Sequence, residues 1–416
     1  MSRDDSQEVR VDQVGSSIVG AGEAMARLKS VIPRSIGDYP DVPTVYLKVA
    51  QTYSSPLLMG PPICDELIAL VQHMFTEEEA LLVQHIKSPA GKTAQAVATA
   101  AGRPVEEVRS ILERLAYGKF ILFGAGAGEK KRYGLLPIVP GVFEFSMIQT
   151  SLDSLTDWHR RFAELFAALY ETGFFVDYAQ RPIPGVRYVP VGETIEAHSM
   201  ALPSDRLEEV LDKYEVFAVG LCQCRMTEQI VGRGCDRPLE NCVVFGDIAE
   251  FFVHHGKVRR VEKKDILEIK AEAASAGLAS FVAEVEWRGS TSGASCSCCG
   301  CCCGALRTIS EFNTPGLIAP PHFMPRVNLA LCTYCGKCAK TCPVGAMVVD
   351  AKGKSQRHLP ERCIGCGLCA VACDGQHAIQ MEPVPKYRQP PQSLLSTLWQ
   401  IGPNHLRNAW SVWRTR

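Results

Sequence analysis

The sequence contains no run of about eighteen apolar residues, so nothing in it predicts a membrane-spanning helix, and any membrane contact would be peripheral. Its opening, MSRDDSQEVR, is polar and has neither an apolar h-region nor a twin arginine; it predicts no secretory leader and a cytoplasmic location. Excess charge of either sign is also missing: 44 Lys and Arg stand against 45 Asp and Glu, which removes any global pull toward nucleic acid or anionic lipid. No Rossmann glycine fingerprint, P-loop or Ser–His–Asp order occurs, so flavin, nicotinamide and nucleotide chemistry have no support. At 416 residues the chain has room for two to four domains with real cores.

What is abundant is cysteine, with nineteen residues. In a chain expected in a reducing compartment, these read as metal ligands rather than disulfides. Eight fall between Leu331 and Met381, as Cys332-x-x-Cys335-x-x-Cys338-x-x-x-Cys342-Pro343 and then Cys363-x-x-Cys366-x-x-Cys369-x-x-x-Cys373. This spacing, twice over, is the ligand pattern of two [4Fe–4S] clusters, because short steps let three thiolates converge on one cube while the following turn carries the fourth away. Zinc also uses Cys-x-x-Cys pairs, but it needs only two of them and no third regular cysteine. The doubled run, Pro343, and Gly336, Gly365 and Gly367 inside the loops favour clusters.

The stretch resembles the bacterial two-cluster ferredoxin module. The resemblance implies that Cys332, Cys335, Cys338 and Cys373 hold one [4Fe–4S] cluster, and Cys363, Cys366, Cys369 and Cys342 the other. The chain departs from that family after Cys373, where Asp374-Gly375 stands in place of the usual proline.

Upstream, residues 1–64 read as a loose lead-in broken by Pro33, Pro40, Pro43 and Pro56, with one helix over Gly22–Val31. From Asp65 to Met147 the pattern sharpens. Thr76 and Glu79 form a capping box that opens a helix to Ile86; a helix at Thr93–Ala101 ends before Gly102; Pro104 opens a third through Leu115. Phe120–Phe123, a glycine-rich turn, Lys130-Lys131-Arg132 and an extended run from Tyr133 complete a hairpin. Three helices and a hairpin in this order resemble a winged-helix domain. Such domains bind DNA through the third helix and the wing. Here Glu106, Glu107 and Glu113 beside Arg109 and Arg114 oppose phosphate, while the basic triplet argues the other way. Docking of a protein is the favoured reading, and DNA the alternative. Residues 148–203 read as a helical connector carrying an amphipathic helix, with Leu155, Trp158, Phe162, Leu165, Phe166 and Leu169 along one face.

Residues 204–306 hold ten further cysteines in a compact α/β pattern. The buried strand Val216–Leu221 runs into Cys222-Gln-Cys224-Arg225, with Cys235 and Cys242 following and a helix read over Val243–His254. These four cysteines suffice for one cluster or one zinc ion, or are free thiols. The loop Gly289–Gly304 adds Cys296, Cys298, Cys299, Cys301, Cys302 and Cys303 in a glycine- and serine-rich setting that lets several thiolates turn onto one site. Ten cysteines could hold one further iron–sulfur cluster, or two [4Fe–4S] clusters with two cysteines left as spare thiols, ligands to a larger cluster or redox-active groups. Arg225 and Lys257 are cations that could lower thiol pKa values. His254-His255 diverge around the helix and read as a helix-end cap rather than a metal pair.

A proline-rich linker, 307–326, leads to the ferredoxin domain, 327–384, and a tail, 385–416, whose Trp- and Arg-rich pieces could pack, dock a partner or touch a lipid interface. The expected fold class is α+β multidomain: winged-helix-like domain, α/β cysteine-rich domain and C-terminal ferredoxin-like dicluster domain. The whole chain resembles the 4Fe–4S dicluster proteins of anaerobic bacteria, and that resemblance implies architecture and cluster binding rather than a reaction. The expected function is electron relay through several [4Fe–4S] clusters to or from a partner oxidoreductase. The alternatives are a redox-responsive winged-helix regulator, or a reductase acting at a cluster in the 222–303 region.

Overall fold

The computed structural model describes residues 32–55, 57–58, 60–174, 187–195, 199–200, 202, 205–287, 290–312, 318–373, 375, 377–385 and 387. The reading of a helix at 22–31 and all readings of the Trp/Arg-rich tail lie outside them. The chain is a mixture of helices and sheets in two compact units, one formed by residues 29–174 with 227–232 and the other by the rest.

The first unit begins with α1 (Thr44–Tyr53), α2 (Asp65–Met74) and α3 (Glu77–Val83). They are followed by β1 (Lys92–Thr93), α4 (Ala94–Ala101) and α5 (Val105–Glu113), and then by β2 (Leu122–Ala125) and β3 (Arg132–Leu135). The sheet order is β1-β3-β2, antiparallel throughout, with Leu122 opposite Leu135. The capping box is present: the Glu79 N–H donates to Thr76 Oγ1 at 3.3 Å, and the Thr76 N–H to Glu79 Oε2 at 2.9 Å.

Two boundaries differ from the sequence reading. α1 lies within the stretch read as a loose lead-in, and it buries Val45, Leu47, Val49, Ala50 and Tyr53. Its i, i+4 pattern starts immediately after Pro43, which occupies the N-cap, so the prolines frame the helix rather than prevent it. Beyond the hairpin, α6 (Phe143–Met147) and α7 (Asp157–Glu171) join the same core instead of forming a connector. Phe166 stacks on Phe143 at 4.0 Å, and His73 Nε2 bonds the Trp158 carbonyl at 2.9 Å.

The second unit is built on an antiparallel sheet. β4 is Arg187–Tyr188; after α8 (Leu207–Leu211) come β5 (Phe217–Leu221), α9 (Gln223–Ile230) and β6 (Glu240–Gly246). α10 (Asp247–His254), β7 (Arg259–Val261), α11 (Lys263–Ser275), β8 (Ala279–Trp287), β9 (Ser290–Ser295), β10 (Ser297–Cys298) and α12 (Gly304–Ser310) follow. The strand order is β10-β8-β9-β6-β5-β7, with β4 also on β8. Val243–Gly246, read as the start of a helix, is strand, and the helix begins only after Gly246, whose φ of 75° makes the corner. Gly289–Gly304, read as a loop, is largely strand: β8 and β9/β10 keep one continuous register, with Ala283 facing Ala294 and Ala279 facing Cys298. One face of the sheet packs Val219, Val243, Phe245 and Val282 against Ile266 of α11.

The remaining elements are β11 (Phe323–Val327), α13 (Lys337–Thr341), β12 (Met347–Asp350), β13 (Ser355–His358), α14 (Leu368–Val371) and β14 (Ile379–Pro383). β11 pairs with β14 and β12 with β13, both antiparallel. The stretch read as a proline-rich linker is not a free spacer. Its first residues complete α12 with Leu306, Arg307, Thr308 and Ile309 buried, and its last form β11.

Glu79 is the first unit's most enclosed carboxylate, its side chain 2% exposed, with Lys119 Nζ at 2.6 Å and Arg114 at 3.3 Å. Burial acts to raise its pKa, but the Lys119 hydrogen bond, the Thr76 amide and Arg114 outweigh this and hold it below the ordinary value. A carboxyl lowered in the folded state contributes stability that is full above the unfolded pKa of about 4.3 and is lost as pH falls through the folded value. Glu79→Gln is therefore expected to cost about 1–3 kcal/mol at pH 7, since it strands two cations and half of a cap. Urea unfolding followed by circular dichroism should show the gap from wild type closing as the pH drops below 4.

Candidate metal centres

The eight cysteines of the C-terminal motif line two pockets. Cys332, Cys335, Cys338 and Cys373 surround one, together with Tyr334, Val349 and Ile379. Cys342, Cys363, Cys366 and Cys369 surround the other, together with Val344, Met347 and Leu368. Each pocket is thus lined by three cysteines of one run and one of the other. Local backbone produces it: Gly336 and Gly367 sit at φ 74° and 78° immediately before α13 and α14, and each turn swings its cysteines inward before the helix carries the next one away.

The two pockets differ in exposure. Cys342, Cys366 and Cys369 are buried, whereas Cys335 is exposed. Burial pushes Cys338 and Cys363 up to about 12, while the Lys337 amide draws Cys335 down. The Ala346 N–H donates to Cys342 Sγ at 3.1 Å, the kind of amide contact that a metal-bound thiolate accepts. Four thiols around each apolar pocket suit a soft, positively charged guest, since thiols buried this deeply do not ionise unaided.

The ten upstream cysteines divide four and six. Cys235, Cys299, Cys301 and Cys302 place their sulfurs within 4.8 Å of one another. The other six are Cys222, Cys224, Cys242, Cys296, Cys298 and Cys303: Cys224 and Cys298 hydrogen-bond Cys303, and Cys242 pairs with Cys296. The Tyr188 hydroxyl stands 3.7 Å from Cys303 Sγ. Beneath them the buried Lys270 binds the Ser295 carbonyl at 2.8 Å and Ser297 Oγ at 3.0 Å; burial brings its ammonium down to about 8, against the opposing pull of Cys296 and Cys298. Strand alternation accounts for part of the division: Cys296 and Cys298 share one side of the chain, Cys299, Cys301 and Cys302 turn to the other, and Cys303 returns to the first. Cys222, Cys224, Cys235 and Cys242, read from the sequence as one ligand set, are not brought together: Cys235 joins the later run. Tyr188, Lys270 and Arg237 were missed, since nothing in their local sequence marks them as neighbours of sulfur.

Comparison with known proteins adds a family to the C-terminal stretch. Residues 324–374 match the 4Fe-4S dicluster domain. An 80-residue stretch is 38% identical to the electron transport protein HydN of Escherichia coli strain K12, covering 16% of this chain and 44% of that protein, and the HydN of Escherichia coli O157:H7 matches equally. The chain thus spans less than half the length of these curated relatives. No solved structure matches it. Among the described residues no helix is long and apolar enough to cross a membrane.

The dicluster domain and the cysteine field are parts of one core. Cys298, Cys303 and Leu306 share a hydrophobic cluster with Cys342, Val344 and Met347 of the domain. The Val191 N–H, three residues after β4, donates to the Cys366 carbonyl at 3.1 Å. Gly300, between Cys299 and Cys301, rests on the backbone of Pro343, where a Cβ would overlap the Pro343 carbonyl oxygen. Both partners are backbone, so no side-chain rotation relieves that contact. Gly300→Ala should therefore push the cysteine turn away from Cys342-Pro343 and destabilise the unit by about 1–3 kcal/mol. The expected result is a lower melting temperature and faster release of iron to a chelator than in Gly353→Ala, where the crowding atoms belong only to the Asp350 side chain.

Proposed function

We propose that the chain is an iron–sulfur electron-transfer protein that relays electrons through its [4Fe–4S] clusters to or from a partner oxidoreductase. In this reading Cys332, Cys335, Cys338 and Cys373 ligate one [4Fe–4S] cluster, and Cys342, Cys363, Cys366 and Cys369 the second. Bound clusters of this kind supply one-electron redox chemistry. The protein's share is to grade their surroundings. The observation that carries the reading is the sequence of exposure: a pocket open at Cys335, a buried pocket behind it, and the Gly300 turn resting on Pro343 beside the buried one. Leu329 and Leu331, both exposed, lie beside Cys332 and offer apolar surface for a redox partner. That the relatives are named electron transport proteins supports the same direction.

Anaerobically purified protein should contain iron for at least two clusters, about eight ions per chain. Cys366→Ser should lose about four of them and one set of EPR signals, and so should Cys335→Ser. Unchanged iron in both variants would sink the ligand sets. Controlled ferricyanide oxidation should strip iron from the Cys335 side first, so Cys335→Ser should lack the fast phase of bleaching and Cys366→Ser should keep it.

The three helices and hairpin of the first unit, with sheet order β1-β3-β2, support reading it as a winged helix that docks protein. Several of its cations are committed internally: Arg103 to Glu78 and Glu107, Arg109 to Glu106, Lys131 to Glu113, and Arg132 to the carbonyls of Ala90 and Gly91. Phosphate would have to displace these partners, which opposes duplex binding. No retention on duplex DNA at low salt is expected in either redox state; salt-sensitive retention that changes on oxidation would favour a redox-responsive regulator instead.

A further inference from the structure

We infer that Cys235, Cys299, Cys301 and Cys302 bind a single metal ion, zinc or iron, as a tetrahedral tetrathiolate centre separate from the clusters of the dicluster domain. The spacing of the sulfurs separates this from a further cluster. Cys235 lies 3.8 Å from both Cys299 and Cys302, and Cys301 lies 3.7 Å from Cys302. Four sulfurs at about 2.3 Å from one central ion stand about 3.8 Å apart at the corners of a regular tetrahedron. A cubane instead interposes an iron between each thiolate and the centre, so its four ligands cannot come into mutual contact. The separations are also far too long for disulfides, and all four residues are free cysteines.

Charge points the same way. Four thiolates around a dication leave two negative charges, and two guanidiniums are in place to meet them. Arg225, 0% exposed, directs Nη2 to Cys299 Sγ at 3.7 Å while also donating to the carbonyls of Pro238 and Ser297. Of the sulfurs around it, Cys222 acts on its charge most strongly, followed by Cys299 and Cys235. A guanidinium buried so completely calls for an anion, and neutral thiols do not provide one. Arg237 directs Nη1 to Cys301 Sγ at 3.7 Å, is anchored through Nε to the Ala276 carbonyl at 3.0 Å, and its backbone N–H donates to Cys235. Ala273 and Leu278 close the site with apolar surface. All four corners are protein sulfur, which leaves no open position for substrate and fits a structural ion that staples the loop of Cys235 to the turn around Gly300.

The test uses the full chain, purified without oxygen. One zinc per chain with a first shell of four sulfurs by zinc-edge X-ray absorption is the expected result for zinc. For iron it is one Mössbauer component of mononuclear tetrathiolate iron, resolved from the cluster iron. Cys301→Ser and Cys302→Ser should each lose that one ion and keep the cluster iron, and Cys298→Ser should keep that ion. The inference is overturned if neither zinc nor mononuclear iron is found after Zn²⁺ or Fe²⁺ is supplied, if the metal shell contains a second metal, or if Cys301→Ser retains the ion. Should a variant fold poorly, the wild-type shell decides alone. Cluster iron is counted separately, so failure here and failure of the electron-transfer reading remain distinguishable.

Discussion

Thiolates repel one another, and this chain gathers eighteen of them into one compact unit. Ionised and unaccompanied, buried sulfurs at these distances would drive the fold apart; protonated, they pack as small apolar groups but hold one another only weakly. For the cysteines of the dicluster domain, bound clusters resolve the conflict, since each removes protons and supplies attraction along the same lines. Folding and cluster loading are therefore linked around these sulfurs, whereas the first unit packs a core of Leu67, Leu70, Val71, Val83 and Phe162 with no cysteine field.

The sheet gives the sulfurs their addresses. β5 ends just before Cys222; β6 contains Cys242; the β8–β9–β10 hairpin sets Cys296 and Cys298 beside the start of β8. Because the register runs without a slip from Ala283–Ala294 to Ala279–Cys298, the last run of cysteines leaves the sheet with its phase fixed. Lys270 from α11 and Arg225 from α9 then place fixed positive charge beside the sulfurs, one against the group of six and the other against the group of four.

What could be read in the sequence follows from how local each signal is. The eight motif cysteines were legible because the loop that spaces them also aims them, and the capping box at Thr76 and Glu79 because it spans one turn. Val243–Phe245 was read as helix because a short apolar run has no period to reveal; its neighbours in β5 and β9 make it a strand. The grouping of Cys235 with Cys299, Cys301 and Cys302 had no local signal at all. It depends on the register of a hairpin more than fifty residues downstream, and on Arg237, which a single sequence presents as one more exposed arginine.

Antiparallel pairing of β11 with β14 brings Phe323 opposite Pro383, so the segment that holds both four-cysteine pockets enters and leaves the fold at adjacent points. A segment whose two ends meet can be gained or exchanged without stretching its host. The connection is modular, but the fit is not: Val191 on Cys366 and Gly300 on Pro343 tie this copy to its own sheet by backbone contacts that another module would have to reproduce.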